Sequence, residues 1–136
     1  MEIITKTARE TQDLGRKIGS GLKGGEILAL TGDLGSGKTT FIQGLAQGLG
    51  IKQRIVSPTF ILLRKYGNFY HVDLYRLEGN LDNEIKNIGL PDIWNKKNNI
   101  VAIEWAEKIK DLLPSSVTWI KFENLGKDER KIIIEK

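Results

Sequence analysis

Residues 32–39, with the sequence Gly-Asp-Leu-Gly-Ser-Gly-Lys-Thr, constrain the fold of this chain more than any other segment. They match the pattern G-x-x-x-x-G-K-[ST] at every fixed position, and that pattern has a physical meaning only between a buried strand and a helix. The segment 26–31 before it, apolar from Ile27 to Leu30, predicts a short buried strand. After it, the apolar residues of 38–49 recur at helical spacing, and Gly50 is a natural stop. The segment therefore predicts a strand–loop–helix unit.

Such a loop binds the phosphates of a nucleoside triphosphate. Its glycines let successive backbone N–H groups turn towards an anion, and the following helix adds its positive end. Lys38 is expected to reach the β- and γ-phosphates, and the Thr39 hydroxyl to bind Mg²⁺. Thr40 is placed to donate to the α-phosphate. The predicted nucleotide-binding residues, for ATP with Mg²⁺, are Asp33, Leu34, Gly35, Ser36, Gly37, Lys38, Thr39 and Thr40.

Phosphate-bound Mg²⁺ usually needs a protein carboxylate, directly or through water. Glu104 ends the apolar run 100–103, which suits an acid at the carboxyl edge of a sheet. Asp73 is the second candidate, also near a predicted strand end. Spacing leaves open which of the two holds the metal and which orients water, and a solvated or capping role is the alternative for each. His71 is expected to be a partly buried histidine with its hydrogen bonds satisfied, and Trp105 a core residue.

The remaining patterns predict an α/β fold, a single phosphate-loop domain over residues 1–136. Its sheet is mixed and mostly parallel, with antiparallel hairpins, and is flanked by helices. Thr7 and Glu10 have the spacing of a helix capping box, and Gly24-Gly25 is expected to end that helix. Hairpins are predicted over 59–75, around Gly67-Asn68, and over 117–135. A short helix is expected over 81–88, followed by a strand over 100–104.

Composition excludes several kinds of site. The chain has 136 residues and no cysteine, so disulfides, thiolate zinc sites and a cysteine nucleophile are excluded. Its one histidine excludes a multi-histidine metal site. No signal peptide or membrane-spanning run is visible, and a cytoplasmic protein is expected. The net charge of +4 is spread along the chain, so direct nucleic-acid contact is allowed without being required.

Three classes of phosphate-loop protein compete. A GTPase needs Asn-Lys-x-Asp to recognise guanine, and residues 95–98 lack the final aspartate, so this class is rejected. A small-molecule kinase usually carries an arginine-bearing lid and an acceptor pocket, and neither is visible in the 97 residues after Thr39. The third class, an ATPase that acts as an accessory to other proteins, agrees best with a complete phosphate loop and little substrate-binding apparatus. The kinase remains the alternative.

Four motifs in order make the chain resemble the bacterial TsaE family, also called YjeE. They are residues 32–40, Ser-Pro-Thr-Phe at 57–60, His-Val-Asp-Leu-Tyr-Arg at 71–76 and Glu-Trp-Ala-Glu at 104–107. Many ATPases share the first motif, whereas the other three together are specific to the family. Ser36 and Ala106 depart from the common alanine and proline at their positions, and neither change removes a functional group.

The resemblance implies a small ATPase needed for the threonylcarbamoyladenosine modification next to the anticodon of tRNAs that read codons beginning with adenine. It implies ATP and Mg²⁺ as cofactors, Thr39 and Glu104 at the metal, and Lys38, Asp73 and Glu104 as catalytic residues. It also implies that the TsaB–TsaD protein complex is the partner, that tRNA is reached through this complex, and that TsaD transfers the threonylcarbamoyl group. Hydrolysis is expected to be slow until the partners stimulate it, and Arg9 or Arg130 is expected near the nucleotide.

Overall fold

The computed structural model describes residues 1–55 and 62–135. Twelve elements follow one another in the described chain. They are β1 (Glu2–Thr5), α1 (Ala8–Ser20), β2 (Ile27–Thr31), α2 (Lys38–Gly48), β3 (Leu63–Tyr66), β4 (Phe69–Asp73), α3 (Asp82–Asn87), α4 (Leu90–Trp94), β5 (Ile100–Glu104), a 3₁₀ helix (Ala106–Leu112), β6 (Thr118–Gly126) and β7 (Glu129–Glu135). The α/β fold class predicted from the sequence is confirmed.

The described strands form one seven-stranded sheet in the order β1-β7-β6-β2-β5-β4-β3. β2 pairs in parallel with β5 and β6, and β5 pairs in parallel with β4. The pairings of β1 with β7, β6 with β7, and β3 with β4 are antiparallel. Five strands therefore point in one direction and only β3 and β7 oppose them, which confirms a mixed, mostly parallel sheet with antiparallel hairpins.

Helical layers cover both faces of the sheet, and each layer has its own apolar cluster. On one face α2 packs through Phe41, Ile42 and Leu45 against Leu30, Phe122 and their neighbours. On the other face α3, α4 and the 3₁₀ helix pack against Val72, Ile103 and their neighbours. Burial on both faces explains why β2 and β5 have continuous apolar sequences rather than alternating ones.

Helices α1 and α2 approach each other so closely that only glycine fits at the contact. A Cβ atom added to Gly15 or Gly19 would lie 2.2 Å from a backbone oxygen of α2. A Cβ at Gly44 would lie 1.9 Å from the backbone oxygen of Gln12, and one at Gly48 would lie 2.2 Å from that of Arg16. Because both helices carry glycines four residues apart, their backbones meet along a full turn, and α1 holds α2, the helix that follows the glycine-rich loop.

Local signals predicted most elements with small shifts at their ends. The Thr7 hydroxyl accepts a hydrogen bond from the Glu10 amide at 3.1 Å, which is one half of the predicted capping box, whereas the Glu10 carboxylate accepts from the Lys6 amide rather than that of Thr7. Helix α1 ends at Ser20, before the predicted Gly24-Gly25 stop. Both predicted hairpins are present, although residues 59–61 of the first lie outside the described residues. No helix in residues 1–55 and 62–135 is long and apolar enough to cross a membrane.

The sequence patterns did not predict two helical segments, α4 and the 3₁₀ helix. Gly89 has a φ of 73° and precedes α4, whose second residue is Pro91. Proline was expected to end the preceding helix, but a first helical turn tolerates it because the N–H groups there have no intrahelical partner. The 3₁₀ helix follows Trp105, which has a φ of 60°. Left-handed backbone at a tryptophan is unusual, so nothing in the local sequence indicates it.

Candidate functional site

The glycine-rich loop over 32–37, which the sequence predicts to bind phosphate, lies between the buried strand β2 and the start of α2. Gly37 precedes the helix with a φ of 100°, which a residue with a side chain rarely adopts. Gly32, at the start of the loop, also serves a close approach: a Cβ there would lie 2.6 Å from the backbone oxygen of Phe122 on β6. The first amides of α2 therefore face an open cleft at the carboxyl end of the parallel strands.

Lys38, the first residue of α2, is 4% exposed and already has partners. Its ammonium donates a hydrogen bond to the carbonyl oxygen of Gly32 and lies 3.8 Å from the centroid of the Trp105 ring. Burial lowers the pKa of Lys38, and the negative charge of Glu104 opposes this shift. An anionic phosphate at this position would therefore relieve the unfavourable desolvation of the ammonium.

The two candidate carboxylates are brought together by strand pairing. Asp73 at the end of β4 is the register partner of Glu104 at the end of β5. Glu104 is 3% exposed, and its Oε1 accepts a hydrogen bond from the Thr39 hydroxyl at 3.4 Å. Asp73 Oδ1 accepts from the Tyr75 amide at 2.9 Å, and burial raises the pKa of Asp73. Glu104 thus contacts α2, and Asp73 lies beside Glu104 at the carboxyl end of the parallel strands.

The donor set around Thr39 matches the ordinary requirements of Mg²⁺. Its hydroxyl and Glu104 Oε1 are hard oxygen ligands at one point of the cleft, and nucleotide-bound Mg²⁺ takes one or two protein oxygens with phosphates and water. No group of three or more ligating side chains that could hold an ion by itself occurs within residues 1–55 and 62–135. The Ser36 hydroxyl is buried and has no hydrogen-bond partner among those same residues, as a donor awaiting an anion would be.

The cleft has a volume of about 500 Å³ and contains most of the predicted site. Its walls include Leu34, Gly35, Ser36, Gly37, Lys38, Thr39, Thr40, Asp73 and Glu104. Asp33 does not line the cleft; its carbonyl oxygen accepts from the Ser36 amide at 3.1 Å and so shapes the loop. Arg130 lines the cleft, whereas Arg9 lines a separate surface depression on α1. The motif at 57–60 lies outside the described residues.

Sequence reasoning missed four residues of the cleft wall: Ala8, Tyr75, Trp105 and Asp128. Trp105 was expected in the core, but its ring is only partly buried and faces Lys38. Tyr75 packs on it with ring centroids 5.2 Å apart. Trp105 directly follows Glu104 and Tyr75 lies two residues after Asp73, both within the quoted motifs, and this proximity is the signal that points to them. Ala8 and Asp128 have no comparable signal, because they reach the cleft through the pairing of β1 and β7.

A lysine on the 3₁₀ helix stabilises this aromatic wall. The Lys108 ammonium donates to the backbone oxygens of Tyr75 at 2.8 Å and Leu77 at 2.6 Å. It also lies 5.8 Å from the Trp105 ring centroid. The segment after β4 and the segment after β5 are therefore tied together beside the phosphate loop.

Comparisons with known proteins agree with this architecture. The family model described as "Threonylcarbamoyl adenosine biosynthesis protein TsaE" matches residues 5–132. The chain is similar to proteins named tRNA threonylcarbamoyladenosine biosynthesis protein TsaE. The relative from Bacillus subtilis is 36% identical over 94% of this chain and 80% of its own length. The relative from Nostoc sp. is 42% identical over 79% and 69%.

A third relative, from Treponema pallidum, is 35% identical over 98% of this chain and 99% of its own length. Among solved structures, the crystal structure of Bacillus subtilis YdiB superimposes with a TM-score of 0.79 at 34% identity, covering 97% of this chain and 82% of that one. A family match over nearly the whole chain, and relatives of this identity and coverage, leave one conclusion. The chain belongs to the TsaE family of threonylcarbamoyl adenosine biosynthesis proteins.

Proposed function

We propose that this protein binds ATP with Mg²⁺ in the cleft at the start of α2 and hydrolyses it slowly in support of the threonylcarbamoyladenosine modification of tRNA. The convergence of Lys38, Thr39 and Glu104 at the open end of a phosphate loop carries this proposal. The family's role in threonylcarbamoyladenosine biosynthesis supplies the biological setting.

Each residue has a role that follows from its position. The loop amides and Lys38 hold the phosphates, and the ammonium exchanges its contact with Gly32 and Trp105 for phosphate oxygens. Thr39 and Glu104 hold the Mg²⁺, which neutralises charge on the phosphates. Asp73, the register partner of Glu104, lies beside the metal ligands and is placed to orient a water molecule.

The partner is proposed to be the TsaB–TsaD complex, which supplies the tRNA and carries out the transfer. Two large apolar side chains at the wall of the cleft support coverage by another protein: Leu34 is 65% exposed and Tyr75 is 46% exposed. Single exposed apolar residues are common on protein surfaces, but these two flank the same cleft. A partner that covers them would exclude water from the phosphates and strengthen every electrostatic contact inside.

The test is calorimetric titration of ATP, and separately GTP, with Mg²⁺ present, followed by measurement of ATP hydrolysis with and without the TsaB–TsaD complex. We expect ATP to bind in preference to GTP and hydrolysis to rise when the complex is added. Fast hydrolysis by the isolated chain that the complex does not change would contradict the accessory role. Phosphate transfer from ATP to a small molecule would favour the alternative, a phosphate-loop kinase.

A further inference from the structure

His71 is a fully buried polar side chain to which the proposed function gives no role. It is 0% exposed and lies on β4, where Ala102 of β5 is its register partner. Asp73 is two residues further along the same strand, so both side chains point to the face of the sheet that carries Glu104. An imidazole with no access to water needs a hydrogen-bond partner inside the protein.

The partner of His71 is the candidate metal ligand. Its Nε2 lies 2.7 Å from Oε2 of Glu104, and both side chains are buried. The other oxygen, Oε1, accepts from the Thr39 hydroxyl at 3.4 Å. The two carboxylate oxygens of Glu104 therefore have different neighbours. Oε2 faces the buried His71 ring, and Oε1 faces the start of α2 and the cleft.

The direction of the hydrogen bond follows from the acceptors. Oε1 of Glu104 accepts from Thr39, and if the carboxylate is ionised Oε2 accepts as well, so that Nε2 of His71 carries the hydrogen. The second ring nitrogen, Nδ1, is buried without a hydrogen-bond partner among residues 1–55 and 62–135. A ring with its single hydrogen on Nε2 satisfies both observations, since Nδ1 then holds a lone pair and no orphaned N–H group.

We propose that His71 is a positioning residue that holds Oε2 of Glu104 so that the carboxylate meets Mg²⁺ through Oε1 alone, beside Thr39. This inference rests on the proposed function, because it assigns a role at the metal position of that site. Held by His71, the carboxylate cannot rotate to give both oxygens to the ion. Coordination positions on Mg²⁺ then remain for phosphate oxygens and water, as its octahedral geometry requires.

The alternative is a purely structural role, in which buried His71 stabilises the fold without affecting metal binding. The two roles differ in what happens to metal affinity when the donor is removed. Hydrogen-bond partners of metal ligands typically contribute 10- to 100-fold to metal affinity. A residue with only a structural role would change thermal stability and leave the effect of the metal on nucleotide binding unchanged.

The experiment compares His71→Leu, which removes the donor, with His71→Gln, whose side-chain amide can still donate towards Oε2. ADP affinity is measured by calorimetry in excess EDTA and again in excess Mn²⁺. The affinity in Mn²⁺ divided by the affinity in EDTA, here called the metal ratio, gives the contribution of the metal. We expect the His71→Leu protein to bind ADP in EDTA within about twofold of wild type and its metal ratio to fall by about 10- to 100-fold. The His71→Gln protein should recover most of that ratio.

Ile85→Ala is the matched control. Ile85 lies on α3, in the apolar cluster on the opposite face of the sheet, so this change destabilises the fold without touching the cleft. Its metal ratio should equal that of wild type. If the His71→Leu protein retains the wild-type ratio, the positioning role is wrong and the metal site stands. If wild type itself binds ADP equally well in EDTA and in Mn²⁺, the proposed metal site fails, and the role of His71 fails with it.

A second measurement uses the wild-type protein and does not depend on a variant folding. Long-range proton–nitrogen correlations in the NMR spectrum of the nucleotide-free protein report which ring nitrogen of His71 carries the hydrogen. We expect the hydrogen on Nε2. A ring protonated on Nδ1 alone would have no donor for Oε2, and that result would overturn the proposal.

Discussion

At the scale of single residues, the candidate site contains two ionisable groups, those of Lys38 and Asp73, whose burial disfavours their charged forms. Burial lowers the pKa of Lys38 and raises the pKa of Asp73, because removing either side chain from water costs free energy when it is charged. Such shifts cluster at functional sites because a bound ligand supplies the missing compensation. Replacing these residues should therefore affect ligand binding and stability differently, and this difference distinguishes a functional role from a structural one.

Replacing Lys38 with alanine should reduce ATP affinity by roughly 10- to 100-fold, the usual contribution of hydrogen bonds to a charged group. Without nucleotide, the melting temperature should stay close to that of wild type. Removal of a buried ammonium relieves its desolvation, which offsets the lost hydrogen bond to Gly32. Calorimetry and thermal melts give both quantities. Lys17→Ala, on the exposed side of α1, is the control, and unchanged ATP affinity in the Lys38→Ala protein would refute the assignment.

Replacing Asp73 with asparagine should slow ATP hydrolysis and raise the melting temperature at neutral pH. Because burial raises its pKa, Asp73 binds a proton more tightly in the folded state than in the unfolded state. The carboxylate therefore destabilises the fold progressively as pH rises from the ordinary aspartate range through the raised pKa. The gain from the substitution should vanish at acidic pH, where wild-type Asp73 is protonated. Melts across pH measure this, and a gain that is equal at acidic and neutral pH would contradict the stated cause.

At the scale of elements, the position of the glycine-rich loop over 32–37 depends on how α2 is held. Helix α2 carries Lys38 and Thr39 in its first turn, and its outer side lies against the backbone of α1. The glycines at this contact have no side chains, and this allows the backbones of α1 and α2 to approach closely. Any side chain there must push α2 away from α1, and the loop at its end is displaced with it.

Gly44→Ala should destabilise the protein by about 1–3 kcal/mol or more, because the added Cβ would lie 1.9 Å from the Gln12 backbone oxygen. For a chain of this length, each kcal/mol corresponds to a fall of roughly 3–6 °C in melting temperature. Gly21→Ala is the matched control: its Cβ would meet the nearest atom at 3.6 Å, and its φ of −93° suits alanine. That variant should be neutral or slightly more stable. Equal melting temperatures for the two variants would contradict the close helix contact.

At the scale of the whole molecule, the cleft is the place where separate parts of the chain meet. Its wall includes the glycine-rich loop, the ends of β4 and β5, Ala8 at the start of α1, Asp128 in the turn between β6 and β7, and Arg130 on β7. The antiparallel pairing of β1 with β7 draws the two terminal strands together. A ligand in the cleft therefore contacts structure from both ends of the sequence and should stabilise the whole fold.

ATP with Mg²⁺ at 100 times its dissociation constant should stabilise the native state by about 2.7 kcal/mol, provided that the unfolded chain does not bind it. The melting temperature should then rise by roughly 8–16 °C, as the size of the chain indicates. Thermal melts over a range of ATP concentrations measure the shift. The Lys38→Ala protein at the same concentrations is the control, and an equal shift in that protein would mean that ATP stabilises the fold from another site.

Short-range patterns in the sequence were sufficient for the strand–loop–helix unit around residues 32–37, the Thr7 helix cap and the turn at Gly67-Asn68. Each depends on the backbone preferences of a few consecutive residues, so its chemistry is visible in the sequence. The sequence also placed Asp73 and Glu104 at strand ends, and parallel pairing made them neighbours. The sequence did not predict α4, because a proline is compatible with either the start or the end of a helix. Only the surrounding packing decides which of the two occurs at Pro91.

Tertiary structure alone decided the contacts between distant segments. His71 and Glu104 are 33 residues apart, and only the register of β4 against β5 puts Nε2 of one beside Oε2 of the other. The Trp105 ring faces Lys38 because its backbone adopts a left-handed conformation that no local pattern indicates. The sequence by itself thus determined which chemical groups are present and which local elements carry them. Packing decided which of those groups meet, because strand order and register depend on the free energy of the whole core and not of any one segment.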